Sequence, residues 1–285
     1  MQSRTVVSRF APSPTGYLHL GHAYSALLSY EQAKDSGGEF LLRIEDIDQG
    51  RSRKEFEQQI FDDLEWLGLS WAMPVRRQSE HFEDYKAALN TLSSMGLVYP
   101  CFCTRKDIQV EVQAAGGAPH GPDGLIYPGT CRNLSDDDCS AMIDEGKPHS
   151  YRLNMKKSLG LTDTLKWQDA IAGNMTAEPE KFGDIVIARK DTPTSYHLAV
   201  TVDDHIQGVT LVTRGRDLFE ATDIHCLLQQ LLNLNAPIYH HHPLVCDNDG
   251  DRLAKRNDSL SIKALREEGA SPADIRRMIS EGLHD

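Results

Sequence analysis

Two histidines and two glycines lie close together near the start of the chain, in Arg9-Phe10-Ala11-Pro12-Ser13-Pro14-Thr15-Gly16-Tyr17-Leu18-His19-Leu20-Gly21-His22. An apolar pattern over residues 5–10 predicts a buried strand before them, and apolar spacing over residues 23–34 predicts a helix after them. The start of a helix presents free N–H groups and the positive end of the helix dipole, so this turn is a candidate anion site. His19 and His22 would donate hydrogen bonds to a phosphate that gains charge in a reaction. The alternative is two ordinary histidines at a helix cap.

Two charged residues at the ends of predicted strands form a second candidate site. Arg9 ends the first strand, and Glu45 ends a second strand predicted over residues 40–45. In a parallel α/β sheet, ligands bind beyond the carboxyl ends of the strands. Arg9 would bind a carboxylate through two parallel hydrogen bonds while Glu45 binds an ammonium group, so the pair suits an amino acid. A mutual salt bridge without a ligand is the alternative.

The spacing of three cysteines predicts a metal site. The chain has six cysteines, of which Cys101 and Cys103 form a C-x-C pair that precedes Cys131 across a Gly/Pro-rich stretch. Zinc takes four ligands in a tetrahedron, usually thiolates and imidazoles, and a closed set of protein ligands makes the site structural. His120 is the simplest candidate for the fourth position. Free thiols are the alternative.

Strand patterns alternate with helix patterns along the chain, which predicts an α/β fold with a parallel sheet. Helices are predicted over residues 55–67, 81–97, 218–232 and 261–283, and further strands over 184–189, 195–202 and 209–213. The second of these strand segments, residues 195–202, is followed directly by Asp203-Asp204 and is therefore expected to lead into paired carboxylates. Glycines and prolines between residues 101 and 152 indicate an insertion into the sheet.

Size, composition and charge limit the classes of protein. The chain has 285 residues, 40% of them hydrophobic, and a formal net charge of −12. The net negative charge argues against non-specific binding of nucleic acid, but it does not exclude a specific RNA that binds to a local basic patch. No apolar run is long enough for a transmembrane helix, and the first residues do not resemble a signal peptide. We therefore expect a cytoplasmic protein, without membrane partners and monomeric.

The histidine segment resembles the nucleotide-binding signature of class I aminoacyl-tRNA synthetases, and within that class the glutamyl and glutaminyl branch. The resemblance implies that His19, Gly21 and His22 bind ATP, with Mg²⁺ on its phosphates. Residues 252–256, Arg-Leu-Ala-Lys-Arg, occupy the position of the second, lysine-rich signature. Arg252 and Ala254 depart from the common form of this signature. Lys255 occupies the position of its second lysine, which would neutralise the phosphates of ATP as pyrophosphate leaves.

The same resemblance implies a glutamate site and a fourth zinc ligand. The family binds its amino acid with residues that match Arg9, Phe10, Ala11, Pro12, Ser13, Glu45, Tyr196 and Arg214. Arg214 corresponds to the arginine that binds the side-chain carboxylate, and a bidentate arginine distinguishes glutamate from glutamine because the neutral amide loses charge assistance. The resemblance also points to Tyr127 as the oxygen ligand that completes Cys101, Cys103 and Cys131 around zinc.

The resemblance further implies a Rossmann-type catalytic domain with an inserted, zinc-bearing α+β subdomain. We expect residues 1–100 to form the first half of the catalytic domain and residues 101–183 the acceptor-type zinc subdomain. Residues 184–285 are expected to form the second half, with the lysine loop and a short helical tail. The 29 residues after Arg256 are too few for an anticodon-binding domain, so none is expected.

The chain therefore resembles the truncated paralogues of glutamyl-tRNA synthetase. These activate glutamate with ATP without tRNA and esterify it to queuosine in the anticodon of tRNA(Asp). Three alternatives stay open: a minimal glutamyl-tRNA synthetase that charges the tRNA 3′ end, a non-catalytic regulator that binds tRNA or glutamate, and a nucleotidyltransferase that acts on a small metabolite.

Overall fold

Strands and helices alternate along most of the part of the chain that the computed structural model describes, residues 5–114, 120–122, 124–246 and 261–283. The strands are β1 (Val7–Phe10), β2 (Glu39–Ile44), β3 (Ala72–Arg77), β4 (Val98–Cys101), β5 (His120–Gly121), β6 (Gly124–Leu125), β7 (Ser150–Leu153), β8 (Lys166–Asp169), β9 (Gly173–Thr176), β10 (Val186–Ala188), β11 (Leu211–Gly215) and β12 (Ile238–His242). The α-helices are α1 (Leu20–Asp35), α2 (Lys54–Trp66), α3 (Phe82–Ser94), α4 (Arg105–Ala114), α5 (Asp136–Asp144), α6 (Met155–Leu159), α7 (Tyr196–Ile206), α8 (Ala221–Leu231), α9 (Ile262–Glu267) and α10 (Pro272–Glu281). None of these helices is both long enough and apolar enough to span a bilayer.

A seven-stranded sheet forms the centre of the fold, in the order β3-β2-β1-β11-β12-β8-β9. Neighbouring strands are parallel from β3 to β8, and only the edge pair β8–β9 is antiparallel. The chain runs outward from β1 through β2 to β3 and later returns beside β1 as β11. The order therefore reverses between β1 and β11, which is where ligands bind in open α/β sheets. The predicted α/β fold with a mostly parallel sheet is confirmed.

Hydrophobic clusters on both faces of the sheet hold it in place. One cluster joins α1, α2, α9 and α10 to β1 and β2, and Leu42 belongs to it. The other joins α3, α7 and α8 to β11 and β12, and the neighbouring Leu41 packs against it. Successive residues of a strand point to opposite faces, so Leu41 and Leu42 of β2 are packed against helices on opposite sides of the sheet.

A second sheet is antiparallel and has the order β10-β7-β4. Of its strands, β7 lies inside the range expected to form an insertion, and β4 and β10 lie at or just beyond the ends of that range. Residues 166–169 and 173–176, inside the range expected to form the separate subdomain, instead extend the large sheet as β8 and β9. The division of the chain at residues 101 and 183 stays a prediction.

The strand expected over residues 195–202 is a helix instead. Ser195 caps α7 by accepting a hydrogen bond from the backbone N–H of Leu198, and Tyr196 is the first helical residue. The β-branched residues 200–202 favour a strand by intrinsic preference. They are buried in the core between α7 and its neighbours, and that packing outweighs the preference.

A buried carboxyl in α2 gives a testable dependence of stability on pH. Asp63 is fully buried and accepts one hydrogen bond from Gln59, and its Oδ2 has no partner among the described residues. Burial raises its pKa from 3.8 to about 6, and the hydrogen bond from Gln59 opposes the shift. Since the folded state then binds the proton more tightly than the unfolded state, stability falls as the pH rises from about 4 to about 6 and stays reduced above that range.

Asp63→Asn is expected to remove this pH dependence and to make the protein more stable at pH 7.5 by about 2 kcal/mol. Urea unfolding at pH 4.5 and pH 7.5 measures the effect. Asp62→Asn is the matched control because Asp62 accepts the same type of hydrogen bond, from Gln58, at a more exposed position. Equal pH slopes in Asp63→Asn and the unsubstituted protein would contradict the prediction.

Candidate active site

A cleft of about 420 Å³ opens at the carboxyl ends of β1 and β11. It lies at the point where the strand order reverses, as expected for a ligand site in this type of sheet. The residues that line it come from the histidine segment, from the ends of β2, β11 and β12, and from the start of α7: Arg9, Phe10, Ala11, Pro12, Ser13, His19, Gly21, His22, Ser25, Glu45, Tyr196, Thr213, Arg214, Gly215, Asp217, Leu218, His242, Leu244 and Val245.

The two signature histidines form the N-terminal cap of α1. Nδ1 of His19 accepts a hydrogen bond from the backbone N–H of Gly21 at 3.1 Å, and Nδ1 of His22 accepts one from the backbone N–H of His19 at 3.2 Å. A Cβ at position 21 would lie 3.1 Å from Cε1 of His19, so glycine leaves room for the imidazole. Because each Nδ1 accepts, each Nε2 carries the proton and is the donor nitrogen in the neutral ring.

Arg9 and Glu45 do not form the mutual salt bridge considered as the alternative. Nε of Arg9 lies 3.1 Å from Oδ1 of Asp204, and Oε1 of Glu45 lies 3.2 Å from Nη2 of the fully buried Arg43. Arg43 also contacts Asp204 at 2.8 Å, so these four side chains form one network. The backbone N–H of Glu45 donates to the carbonyl of Pro12, which fixes Glu45 beside the histidine segment.

Burial raises the pKa of Glu45, and the positive charges of Arg43 and Arg9 oppose that rise. A further cation beside Glu45 would therefore favour its charged form. Burial alone would also raise the pKa of Asp204, but Arg9 and Arg43 outweigh it, so this pKa lies below its usual value. The network thus holds a charged Asp204 against two arginines, while Glu45 is suited to accept an ammonium group.

Arg214 is buried among neutral hydrogen-bond acceptors. Its Nε donates to Nε2 of His241 at 3.0 Å, Nη1 to Nδ1 of His225 at 3.2 Å, and Nη2 to Oγ1 of Thr222 at 2.7 Å. Within the described ranges no carboxylate lies within salt-bridge distance of it. Arg214 lines the cleft with only 5% of its surface exposed. A buried positive charge without a counter-ion is costly, so this cleft favours an anionic ligand.

Burial and then the neighbouring charge of Arg214 lower the pKa of His241 to about 4, against the hydrogen bond and charge of Asp169. The pKa of His225 also lies well below 6.5, first because of burial and then because of Arg214. Both imidazoles are therefore neutral near pH 7. They add no positive charge that would weaken the guanidinium's hydrogen bonds.

Three thiols and a phenol meet at the end of the small antiparallel sheet. The Sγ atoms of Cys101, Cys103 and Cys131 all lie within 4.8 Å of one another. Sγ of Cys103 lies 3.5 Å from Sγ of Cys131 and 3.5 Å from Oη of Tyr127. Zinc–sulfur bonds of about 2.3 Å in a tetrahedron put sulfurs about 3.8 Å apart, so the cluster fits zinc. The side chain of His120 lies outside the described part of the chain.

The comparisons with known proteins agree with this geometry. A family model described as tRNA synthetases class I (E and Q), catalytic domain, matches residues 5–281. The chain belongs to this family. As a class I synthetase it is a ligase-type enzyme.

Relatives of two kinds resemble this class I synthetase over most of its length. A protein of Rhodobacter capsulatus named Glutamyl-Q tRNA(Asp) synthetase is 48% identical over 96% of this chain and 99% of the relative. A Glutamate--tRNA ligase of Aquifex aeolicus is 39% identical over 94% of this chain and 55% of the relative. The crystal structure of glutamate-tRNA synthetase from Elizabethkingia anophelis superimposes with a TM-score of 0.82 at 28% identity. That match covers 97% of this chain and 61% of the solved chain.

The structure brings the predicted glutamate and ATP residues of the synthetase to one cleft, with one exception. Lys255, like Arg252 and Ala254, lies outside the described residues. Described residues on both sides of this segment lie close to the cleft: Val245 lines it before the segment, and Ser261 forms a backbone bridge with His19 after it. The individual roles of these residues stay predictions.

Several buried residues at the site escaped the sequence analysis. Arg43 was detectable because it is the one charged residue within an otherwise apolar strand pattern, Phe40-Leu41-Leu42-Arg43-Ile44. His241 is the middle one of three consecutive histidines on β12. These do alternate, since His240 and His242 contact Gln32 and Ser25 of α1, whereas His241 faces Arg214. No local pattern distinguishes His225 or Asp169.

Proposed function

We propose that the chain activates glutamate with ATP, without tRNA, and transfers the glutamyl group to queuosine in the anticodon of tRNA(Asp). The observation that carries the first half is the buried Arg214, which has no carboxylate partner among the described residues and faces the cleft that His19 and His22 also line. The relative named Glutamyl-Q tRNA(Asp) synthetase, matched over almost its whole length, supports the second half.

Each charged group of glutamate is bound by a different residue of the cleft. Arg9 binds the α-carboxylate, Glu45 the ammonium group, and Arg214 the side-chain carboxylate. Tyr196 lines the same cleft, and burial raises its pKa against the charges of Arg214 and Arg9. The remaining contacts come from the backbone and side chains of the histidine segment: Phe10, Ala11, Pro12 and Ser13.

The activation step is an in-line displacement at phosphorus. An α-carboxylate oxygen of glutamate attacks the α-phosphorus of ATP, and the bond to pyrophosphate breaks as the new O–P bond forms. His19, His22 and Lys255 stabilise the charge that develops on the phosphoryl oxygens, and Mg²⁺ on the ATP phosphates supplies further neutralisation. Because the protein forms no covalent bond, positioning and electrostatics provide the acceleration. A queuosine hydroxyl then attacks the carbonyl carbon of the glutamyl adenylate, and AMP leaves.

Transfer of labelled glutamate to purified tRNA tests the acceptor. With ATP present, label is expected on tRNA(Asp) that carries queuosine, and neither on tRNA(Asp) without queuosine nor on tRNA(Glu). Label on tRNA(Glu) alone would replace the proposal with a minimal glutamyl-tRNA synthetase that charges the 3′ end. Pyrophosphate exchange without any transfer would support activation and overturn the acceptor, and no exchange at all would favour a regulator. We propose that this activity resides in the cytoplasm, with the chain as a monomer.

We also propose a structural zinc held by Cys101, Cys103, Tyr127 and Cys131. The purified protein is expected to contain about one zinc per chain, since a closed four-ligand site binds tightly. Removal with a chelator is expected to lower the thermal midpoint because binding energy contributes to folding. Metal analysis of Cys103→Ser should show loss of zinc, whereas Cys246→Ser, a substitution of a cysteine outside the cluster, should retain it.

The fourth ligand is tested by a pair of variants. Tyr127→Phe removes the phenol oxygen but keeps the buried ring, so faster release of zinc to a chelator is expected. His120→Ala is expected to release zinc at the unsubstituted rate. The reverse result would assign the position to His120, and full zinc retention in both variants would contradict a protein oxygen or nitrogen ligand at this position.

A further inference from the structure

A buried chain of hydrogen bonds connects Arg214 to a carboxylate on another strand. Oδ2 of Asp169 lies 2.7 Å from Nδ1 of His241, and Nε2 of His241 lies 3.0 Å from Nε of Arg214. The three residues are between 2% and 5% exposed. Arg214 and His241 are register partners on the parallel strands β11 and β12, and Asp169 ends the adjacent strand β8. Strand pairing therefore sets this line of contacts.

The carboxylate of Asp169 has no freedom to reorient. Its Oδ1 accepts the backbone N–H groups of Ile171 at 2.8 Å and Ala172 at 2.9 Å, and its Oδ2 accepts the backbone N–H of His241 at 3.2 Å. The oxygen that faces the imidazole therefore accepts a proton from Nδ1. The other ring nitrogen, Nε2, is left as an acceptor for the N–H on Nε of Arg214. Asp169 thus fixes both the tautomer and the orientation of His241.

The arrangement leaves two N–H groups of Arg214 for a ligand. Each terminal nitrogen of a guanidinium carries two N–H groups. One on Nη1 is used by His225 and one on Nη2 by Thr222, so one on each nitrogen has no acceptor among the described residues. Two parallel N–H groups match the two oxygens of a carboxylate, provided that the plane of the guanidinium is held. His241 holds that plane through the third nitrogen, Nε.

We propose that Asp169 is a positioning residue for glutamate, which acts through His241 to set the plane in which Arg214 meets the side-chain carboxylate. The inference rests on the proposed activation of glutamate. It adds a residue of β8, a strand of the large sheet, to those that determine the affinity for the amino acid. Asp169 itself is not among the residues that line the cleft.

Asp169→Asn tests the proposal because it keeps size and shape but replaces one acceptor oxygen with an NH₂ group. If the NH₂ faces His241, the imidazole proton moves to Nε2 and opposes the N–H of Arg214. If it faces the other way, it opposes the backbone N–H groups of Ile171 and Ala172.

The first arrangement turns the guanidinium of Arg214. We therefore expect KM for glutamate in pyrophosphate exchange to rise about 10- to 100-fold, as for loss of an oriented hydrogen bond to a charged group. KM for ATP and kcat at saturating glutamate should change less than about threefold, because the ATP side of the cleft is untouched.

Two comparisons separate positioning from a general loss of structure. Asp223→Asn is the matched control. Asp223 is also a buried carboxylate that accepts two hydrogen bonds, from Nε1 of Trp167 and the backbone N–H of Glu178. It forms no hydrogen bond with the relay, by which we mean Asp169, His241 and Arg214. It should leave KM for glutamate unchanged. In a His241→Phe background, Asp169→Asn should add little further change, since the residue through which it acts is gone.

Equal changes in Asp169→Asn and Asp223→Asn, or multiplicative effects of Asp169→Asn and His241→Phe on KM for glutamate, would overturn the relay. So would a fall in kcat alone, which indicates a smaller active fraction. Calorimetric binding of glutamate keeps this test distinct from that of the proposed function. If the unsubstituted protein binds glutamate but supports no exchange, activation is refuted and the Kd values of the variants decide the relay. If it binds no glutamate, both proposals fail.

Discussion

Arg214→Ala is expected to reduce kcat/KM for glutamate in pyrophosphate exchange by about 10²- to 10⁴-fold. Two charge-assisted hydrogen bonds to a buried carboxylate are together worth roughly 3–6 kcal/mol, which corresponds to a factor of about 10² to 10⁴. The substitution strands no charge, because Arg214 has only neutral partners within the described residues. The protein should therefore stay folded, and KM for ATP should change little.

Two further variants make the result specific. Arg214→Lys keeps the charge but not the planar fork, so an intermediate loss is expected. Arg216→Ala removes an exposed arginine two residues along the chain and should behave like the unsubstituted protein. The preference for glutamate over glutamine should also fall in both Arg214 variants, less in Arg214→Lys and more in Arg214→Ala. Exchange by Arg214→Ala within tenfold of the unsubstituted rate would assign the side-chain carboxylate to another residue.

His22→Asn is expected to lower kcat for pyrophosphate exchange by about 10²- to 10³-fold, the usual cost of removing one preorganised donor from a transition state. The amide oxygen of asparagine stands where Nδ1 of the imidazole accepts the backbone N–H of His19, so the cap of α1 is kept. What is lost is the N–H on Nε2. KM for glutamate and the thermal midpoint should both change little.

His205→Asn provides the matched control for that loss. Nδ1 of His205 also accepts a backbone N–H, that of Asn235 at 3.0 Å, but outside the cleft. The substitution removes the same type of N–H donor and should leave kcat unchanged. A fall of the thermal midpoint in His22→Asn comparable to its loss of activity would mean that the histidine acts mainly as a helix cap, and the assigned role would be wrong.

Local patterns in the sequence determined the parts of the site that lie within one segment. The histidine segment predicted its own strand, turn and helix, and the structure has β1, the cap and α1 in that order. The alternation of strands and helices predicted the parallel sheet, because a crossover helix is the regular way to connect parallel strands. The spacing of Cys101, Cys103 and Cys131 predicted a cluster that the structure confirms as a group of thiols, with zinc itself still a proposal.

The tertiary structure decided which distant residues meet. Whether Arg9 and Glu45 pair with each other was open in the sequence, and the fold gives each a different partner, Asp204 and Arg43. Residues 195–202 favoured a strand locally but form a helix, because burial between helices outweighs intrinsic preference. Asp169, His241 and Arg214 are brought into line only by the order and register of β8, β12 and β11. Strand order and register depend on the packing of the whole chain, so no single segment encodes them.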